Sequence, residues 1–444
     1  MLGFALSSVL AQLHPDTPAR YRPLPPLREQ ARLQNEWRDM RLARVPALLQ
    51  KYGVDAWLIS QREYAEDTVW RAIRDATADS PHRRTVHLFH TNTSSLGGAP
   101  NPLTWIDNTG AIWPALTSIL EQYNPRTIAL NVDKDLNYAS GLHVGELRAL
   151  QEHLGVEWKQ KIVDVPRMMV VEFLGPRMEG QKEWFGVLME NAWAIIEEAF
   201  SARVVKPGVT TTIDVEWFMR DRIQSLNLTT WAHPRVSIVT PSKEPGWEGS
   251  SSLIHEGDVL HVDYGVSAPL MALHTDTQHL AYVLRASEGE RTPPVGLVEG
   301  LRVSNRMQEL QLEVMRPGMT GNEVLRKINE RMMEEGIEGQ VFSHPLGDWG
   351  HGPGAVTGFN NLPTHVPVIG DLMILPDTFY SIELFAYHTL LGTNTTLRFM
   401  QEEDVWWVPE KGCWEWVHGR QERLHIIDAA PEEKRFDSML RVQS

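Results

Sequence analysis

Apolar positions recur at helical spacing through residues 28–52 (Leu33, Trp37, Met40, Leu42, Val45, Leu48, Leu49), and the run ends at Gly53, a helix stop. Residues 54–60, Val-Asp-Ala-Trp-Leu-Ile-Ser, then read as a strand, with further strands at 85–90 and 127–132. Helical stretches such as 113–122 lie between them. This alternation predicts an α/β domain that ends near residue 165. A long amphipathic helix follows over about 180–202.

Beyond that helix the pattern repeats. Lys206-Pro207-Gly208-Val209-Thr210 returns as Arg316-Pro317-Gly318-Met319-Thr320, each ahead of a helical run (214–223 and 322–333). Pro and Thr both suit the first turn of a helix. A His-Pro step follows in each case, His233-Pro234 and His344-Pro345, placed 26 and 27 residues after Pro207 and Pro317. Two such signals in near-equal register predict an internal duplication. Under it, strand 258–266 corresponds to strand 379–385, so that Asp263 and Glu383 are symmetry mates. Asp276 then finds its counterpart in the acidic pair Glu402-Glu403.

These acids are where chemistry is expected. Asp263 and Asp276 lie in strand-like runs joined by a short connection (267–272). A carboxylate on a buried strand costs several kcal/mol unless a cation or hydrogen-bond donors compensate it. Two on adjacent strands repel each other, and a bound cation converts that repulsion into binding. A nitrogen donor is available in Gly350-His351-Gly352, where flanking glycines let the backbone approach closely and leave the imidazole open. Asp258, following Gly257, reads as a turn residue.

Composition narrows the class. The chain has 444 residues, which suits two or three domains, and 42% hydrophobic with 22% charged residues is ordinary for a globular protein. The net charge of -15 comes without a Lys/Arg stripe and argues against a nucleic-acid partner. Cys413 is the single cysteine, so intrachain disulfides and Cys-based zinc clusters are excluded and metal ligands must be oxygen and nitrogen. No stretch reaches the roughly 20 apolar residues of a membrane span. Residues 1–12 have the apolar character of a signal peptide and end near a small residue, but lack a basic start, which leaves cytoplasmic and exported locations both open. Of the 16 Trp, Trp231, Trp349, Trp406 and Trp407 are candidates for pocket walls, with core packing expected for at least two of them.

Taken together, Gly257-Asp258-Val259-Leu260-His261-Val262-Asp263-Tyr264-Gly265, Thr275-Asp276-Thr277-Gln278, Gly350-His351-Gly352, Ser381-Ile382-Glu383 and Glu402-Glu403-Asp404-Val405 resemble the pita-bread metallopeptidases. That family includes methionine aminopeptidase, aminopeptidase P and prolidase, and the resemblance runs over residues 170–427. The N-terminal α/β region is similar to the creatinase-type domain of the proline-specific branch. The fold implied is α/β (α+β): a lead at 1–27, a creatinase-like domain at 28–168 and a pseudo-twofold pita-bread catalytic domain at 169–444. The resemblance implies metal ligands Asp263, Asp276, His351, Glu383 and one of Glu402 and Glu403, with Glu402 preferred because it stands three residues before Val405. It implies two divalent ions, manganese foremost with cobalt, zinc and iron open, and an ion-held water attacking a peptide bond near proline. Glu383 is then the general base and His344 a donor to substrate. His233 and Arg398 are candidates for substrate binding, Arg398 through a bidentate carboxylate pair. A small peptide or amide substrate and a homodimer are also implied.

Three departures bear on substrate. The spacing of 13 between Asp263 and Asp276 is wider than in relatives, residues 237–252 lack a histidine where relatives place one, and the next histidine after His351 is His365. Besides an Xaa-Pro peptidase, a metallohydrolase of an unusual amide and an inactive binding module therefore stay in view.

Overall fold

The computed structural model describes residues 17–91, 96, 98–241 and 251–429, so the apolar stretch at 1–12 lies outside the described residues. The predicted first helix forms as two, Leu27–Ala43 and Val45–Lys51. Pro46, which has no N–H and crowds the preceding turn, begins the second helix instead of continuing the first. Gly53 takes φ +66°, the left-handed conformation that ends this segment and directs the chain into β1 (Ala56–Arg62).

Among the described residues the strands form two sheets. In the first, β1 lies between antiparallel β2 (Arg84–His90) and parallel β4 (Ile128–Leu130), with β3 (Leu103–Asp107) and β5 (Ile162–Asp164) at the edges. Six of the seven β1 residues are buried, as a central strand covered on both faces requires. Helix Ile112–Tyr123 packs Trp113, Leu116 and Leu120 against this sheet.

The second sheet runs in the order β11 (Gly350–His351), β10 (His344–Gly347), β12 (Phe379–Thr389), β13 (Thr396–Val408), β8 (Thr277–Val283), β7 (Val259–Ser267) and β6 (Thr229–Ile238). Off this path β9 (Gly339–Val341) pairs with β12, β14 (Cys413–Trp416) with β13 and β15 (His425–Ile427) with β8. Helices Gln181–Ala199 and Thr212–Ser225 lie against the β6–β8 half. Helices Val295–Val314 and Gly321–Glu335 cover the β12–β13 half.

The repeated Pro-Gly turns form the same clasp in each half. Gly208 and Gly318 have φ +77° and +89°, and their N–H groups donate to Ile254 O (2.7 Å) and Ile374 O (2.9 Å). Ile254 N–H returns a bond to Thr210 O (3.0 Å), and Ile374 N–H to Met319 O (2.9 Å). Each clasp feeds a capping box, Thr211 with Asp214 and Thr320 with Glu323. The N-cap falls one residue later after Gly208 than after Gly318, so the first copy is longer by one residue at this turn.

One apolar cluster joins the two sheets. Trp57 and Phe89 share it with Met169, Phe173, Tyr380 and Ile382, and Phe173 meets Trp57 edge-on at 5.2 Å between ring centroids. A second constraint is the approach of helix Val295–Val314 to β13, where a Cβ on Gly300 would sit 2.2 Å from the buried Phe399 ring. Gly300→Val is therefore expected to lower the unfolding free energy by about 1–3 kcal/mol, more than its helix propensity returns. Urea denaturation checks this, and an unchanged midpoint would contradict the close approach.

Candidate metal centre

Strand register aligns the acids. Glu383 on β12 lies opposite Glu402 on β13, Glu402 opposite Gln278 on β8, Gln278 opposite Asp263 on β7, and Asp263 opposite Arg235 on β6. Directly opposed residues in a sheet have Cβ atoms about 4.5–5.5 Å apart, so these side chains form one transverse row on one face. Gln278 binds the row together: its Nε2 donates to Glu383 Oε1 (2.5 Å) and Glu402 Oε2 (2.9 Å), and its Oε1 meets His261 Nε2 at 2.9 Å.

This register corrects the expected symmetry. Gln278 faces Asp263 as Glu402 faces Glu383, so Gln278 is the counterpart of Glu402 and Asp276 stands two residues outside the row. Asp276 still reaches the cluster from the entry to β8, and its backbone N–H is held by Asp404 Oδ2 at 3.0 Å. The role of Gln278 was missed in the sequence because a neutral amide gives no metal signal. Its place two residues after Asp276, on the same strand face, was the available hint.

Ligand-type atoms of Asp263, Asp276 and Glu402 lie within 4.8 Å of one another, as do those of His344, Glu383 and Glu402, and those of Asp276, His344 and His351. His344 Nε2 is 3.4 Å from Glu402 Oε1 and 3.7 Å from both Asp276 Oδ2 and Glu383 Oε2. It is buried and makes no hydrogen bond among the described residues. His344 was expected on the substrate side and His351 on the metal, yet the geometry gives His344 the inner position. His351 is exposed, with its ring 4.4 Å from His344 and 4.9 Å from Trp231.

Glu402 and Glu403 point to opposite faces, as neighbours on a strand must. Glu403 turns away from the cluster to His279 Nε2 (2.8 Å), Trp193 Nε1 (3.2 Å) and Gln421 N–H (3.1 Å). His233 is exposed beside the bulge in β6 and belongs to none of the three clusters. Arg398 pairs across from Tyr387, lies over the Phe385 ring at 5.1 Å and stands four residues along β13 from Glu402, also outside the clusters. Asp258 accepts His255 N–H at 2.7 Å as a turn residue. Trp231 and Trp349 line a cleft of about 730 Å3, with Asp67, Arg71 and Arg74 on its other side. Trp406 and Trp407 pack into the core elsewhere.

Burial pushes the Asp263 carboxyl up to about 7, helped by nearby Glu402 and opposed by Arg235. Burial and Glu402 also raise Asp276 and Glu383 well above the carboxylate range. Burial lowers His351 to about 4. Carboxylates this close cannot all ionise without a cation, while an unpartnered imidazole nitrogen among them needs one. The donor set therefore fits a divalent ion held by oxygen and nitrogen.

Residues 187–399 match the model of metallopeptidase family M24. Over that region, just under half of the chain, the protein is similar to metallopeptidase family M24. The M24 match ends three residues before Glu402. The fold is also that of an X-Pro aminopeptidase from Thermotoga maritima (16% identity, TM-score 0.61), over 86% of this chain and 99% of that one. An Xaa-Pro dipeptidase from Bacillus anthracis (15%, TM-score 0.61) aligns over 88% and 99%. A dipeptidase from Pyrococcus horikoshii (17%, TM-score 0.59) aligns over 87% and 100%. No curated protein matches the chain in sequence. The pita-bread fold with its N-terminal α/β domain follows from the structural likeness, and the M24 match supports metal-dependent peptidase chemistry.

Protons and metal compete for this centre. Asp263 is raised from 3.8 to about 7, so its contribution to metal-free stability is complete below about pH 4 and is lost as pH rises through about 7. A cation takes over above that range. Apparent affinity for a divalent ion is expected to rise between about pH 6 and about pH 8, with protons released on binding. Calorimetry in buffers of different ionisation enthalpy measures both, and the slope should be shallower in Asp263→Asn.

Proposed function

We propose that this protein is an Xaa-Pro aminopeptidase or dipeptidase in which Asp263, Asp276, His344, Glu383 and Glu402 hold two divalent ions. The observation that carries this reading is the row from Glu383 through Glu402 and Gln278 to Asp263, with Asp276 and the unpartnered Nε2 of His344 closing on it. Oxygen-rich ligation with a single imidazole suits manganese, and also cobalt, zinc or iron. The proline preference draws on the Thermotoga X-Pro aminopeptidase and the Bacillus Xaa-Pro dipeptidase, which share this two-domain fold. In the same reading residues 28–168 form a creatinase-like domain and the protein works as a homodimer.

When bound, the ions lower the pKa of a shared water and polarise the scissile carbonyl. The remaining steps belong to side chains. Glu383, ionised once a cation offsets the neighbouring carboxylates, takes the proton from the attacking water through Oε2 and passes it to the leaving nitrogen. Gln278 fixes the Glu383 and Glu402 carboxylates through its amide. His351, at the exposed edge of the group it forms with Asp276 and His344, donates to substrate rather than binding metal. Trp231 walls the approach beside it.

The test joins metal titration to hydrolysis of an Xaa-Pro dipeptide and tripeptide panel. Asp276→Ala and His344→Ala should lose metal and activity together. Glu383→Gln should lose about 10²–10⁴-fold in kcat through its base role. His351→Ala should keep its metal while kcat/KM falls. Wild-type protein that takes up no divalent ion would refute the proposal, and metal binding without cleavage of any Xaa-Pro peptide would shift the assignment to another amide.

A further inference from the structure

The two-residue connection between β10 and β11, Asp348-Trp349, is held largely from outside its own sheet. Two residue pairs make up the β10–β11 ladder, Leu346 with His351 and Gly347 with Gly350, too few to fix His351 alone. The N-terminal domain supplies most of the rest. Arg41, on helix Leu27–Ala43, places Nη1 2.9 Å from Asp348 Oδ2, and both side chains are almost wholly buried. Arg71, on the helical turn Trp70–Ile73, donates to the Asp348 carbonyl at 3.2 Å. The Tyr138 hydroxyl donates to the His351 carbonyl at 2.6 Å, and its ring meets Trp349 edge-on at 5.5 Å. Tyr138 is itself fixed, because Thr68 Oγ1 donates to its carbonyl at 2.7 Å.

From the catalytic side, Arg177 Nη1 reaches Asp348 Oδ1 at 2.8 Å and His274 Nε2 donates to the Asp348 carbonyl at 3.0 Å. Two arginines on one buried carboxylate make this an anchor that cannot be loosened cheaply, since removing one partner strands a buried charge. Burial alone would raise the Asp348 carboxyl, but Arg41 and Arg177 outweigh it and hold it below the ordinary range. Gly350, at φ +103°, lets the Trp231 ring lie where a Cβ would be only 2.1 Å away.

We propose that Tyr138 and the Arg41–Asp348 pair are positioning residues through which the N-terminal domain sets the placement of His351 toward substrate. This rests on the reading above in which His351 serves substrate and His344 the metal. Tyr138 acts on His351 and not on the ions, so its removal affects substrate turnover and spares metal binding. The coupling is confined to the segment between Asp348 and His351, because His344 sits on the far strand of the hairpin and has its own carboxylate contacts.

A double-mutant cycle of Tyr138→Phe with His351→Ala tests it, using the Xaa-Pro dipeptide that wild-type enzyme cleaves fastest. Tyr138→Phe is expected to lower kcat/KM about tenfold in the wild-type background and under twofold in His351→Ala, with metal stoichiometry unchanged throughout. A parallel arm records histidine Cε1–H resonances of 13C-labelled protein without substrate: the His351 signal should shift or broaden in Tyr138→Phe while that of His344 stays. Equal losses in both backgrounds, or an unmoved His351 resonance, overturn the inference while leaving the metal site intact. His351→Ala that turns over at the wild-type rate instead removes the substrate role of His351, and the inference with it. If no Xaa-Pro dipeptide is cleaved, the resonance arm decides alone.

Discussion

A carboxylate row across four antiparallel strands is the constraint on which the rest of this structure depends. Sheet geometry brings Glu383, Glu402 and Asp263 to one line, separated by a single amide, and burial removes the water that would otherwise screen them. Each such charge costs several kcal/mol to bury alone, and their mutual repulsion adds to that. The metal-free protein can answer by holding protons, as the raised Asp263, Asp276 and Glu383 carboxyls show. A cation answers better at neutral pH. The remaining architecture follows: helices cover the opposite face of the sheet, and Trp231 stands between His351 and a cleft that it lines together with Trp349.

Much of this could be read from the chain. Strand patterns placed β1, β2 and β4 within a few residues, and the Pro-Gly repeat anticipated a twofold arrangement that the structure expresses as matched glycine clasps and capping boxes. Asp263 and Asp276 stood out as acids on strands, Glu383 and the Glu402–Glu403 pair followed from the duplication, and the preference for Glu402 came from the family resemblance. What the chain concealed was register. Counting along the sequence paired Asp276 with the acidic pair, whereas hydrogen-bonded pairing puts Gln278 there. No local pattern records which residue of one strand faces which residue of another.

The two histidines show the same limit. Glycines around His351 advertised an open imidazole, and the structure gives it one, but openness favours contact with substrate more than enclosure by carboxylates. His344, beside a proline and without flanking glycines, carries no such advertisement. Its inner position comes from the pairing of β10 with β12, which sets His344 opposite Ser381, two residues from Glu383 on β12. The N-terminal domain was also legible as a fold but not as a neighbour of the site, because Arg41, Arg71 and Tyr138 meet the 348–351 segment across more than two hundred positions of sequence.

Three consecutive acids on β13 show how the register is kept. Glu402 faces the cluster, Glu403 the opposite face, and Asp404 returns to accept the Asp276 N–H. A one-residue slip of β13 toward Glu403 would still present a carboxylate to the site, so the site alone does not forbid it. The opposite face does. His279, Trp193 and the Gln421 amide are arranged around Glu403, and His279 is in turn hydrogen-bonded to His425 at 2.9 Å. The slip that brings Glu403 into the site would put Asp404, one methylene shorter, before all three donors, and a buried donor left unmet costs about 1–3 kcal/mol. The register is thus held from both faces: the network around Glu403 resists the slip that shortens its acceptor, and the cluster resists the slip that would replace Glu402 with the neutral Gln401.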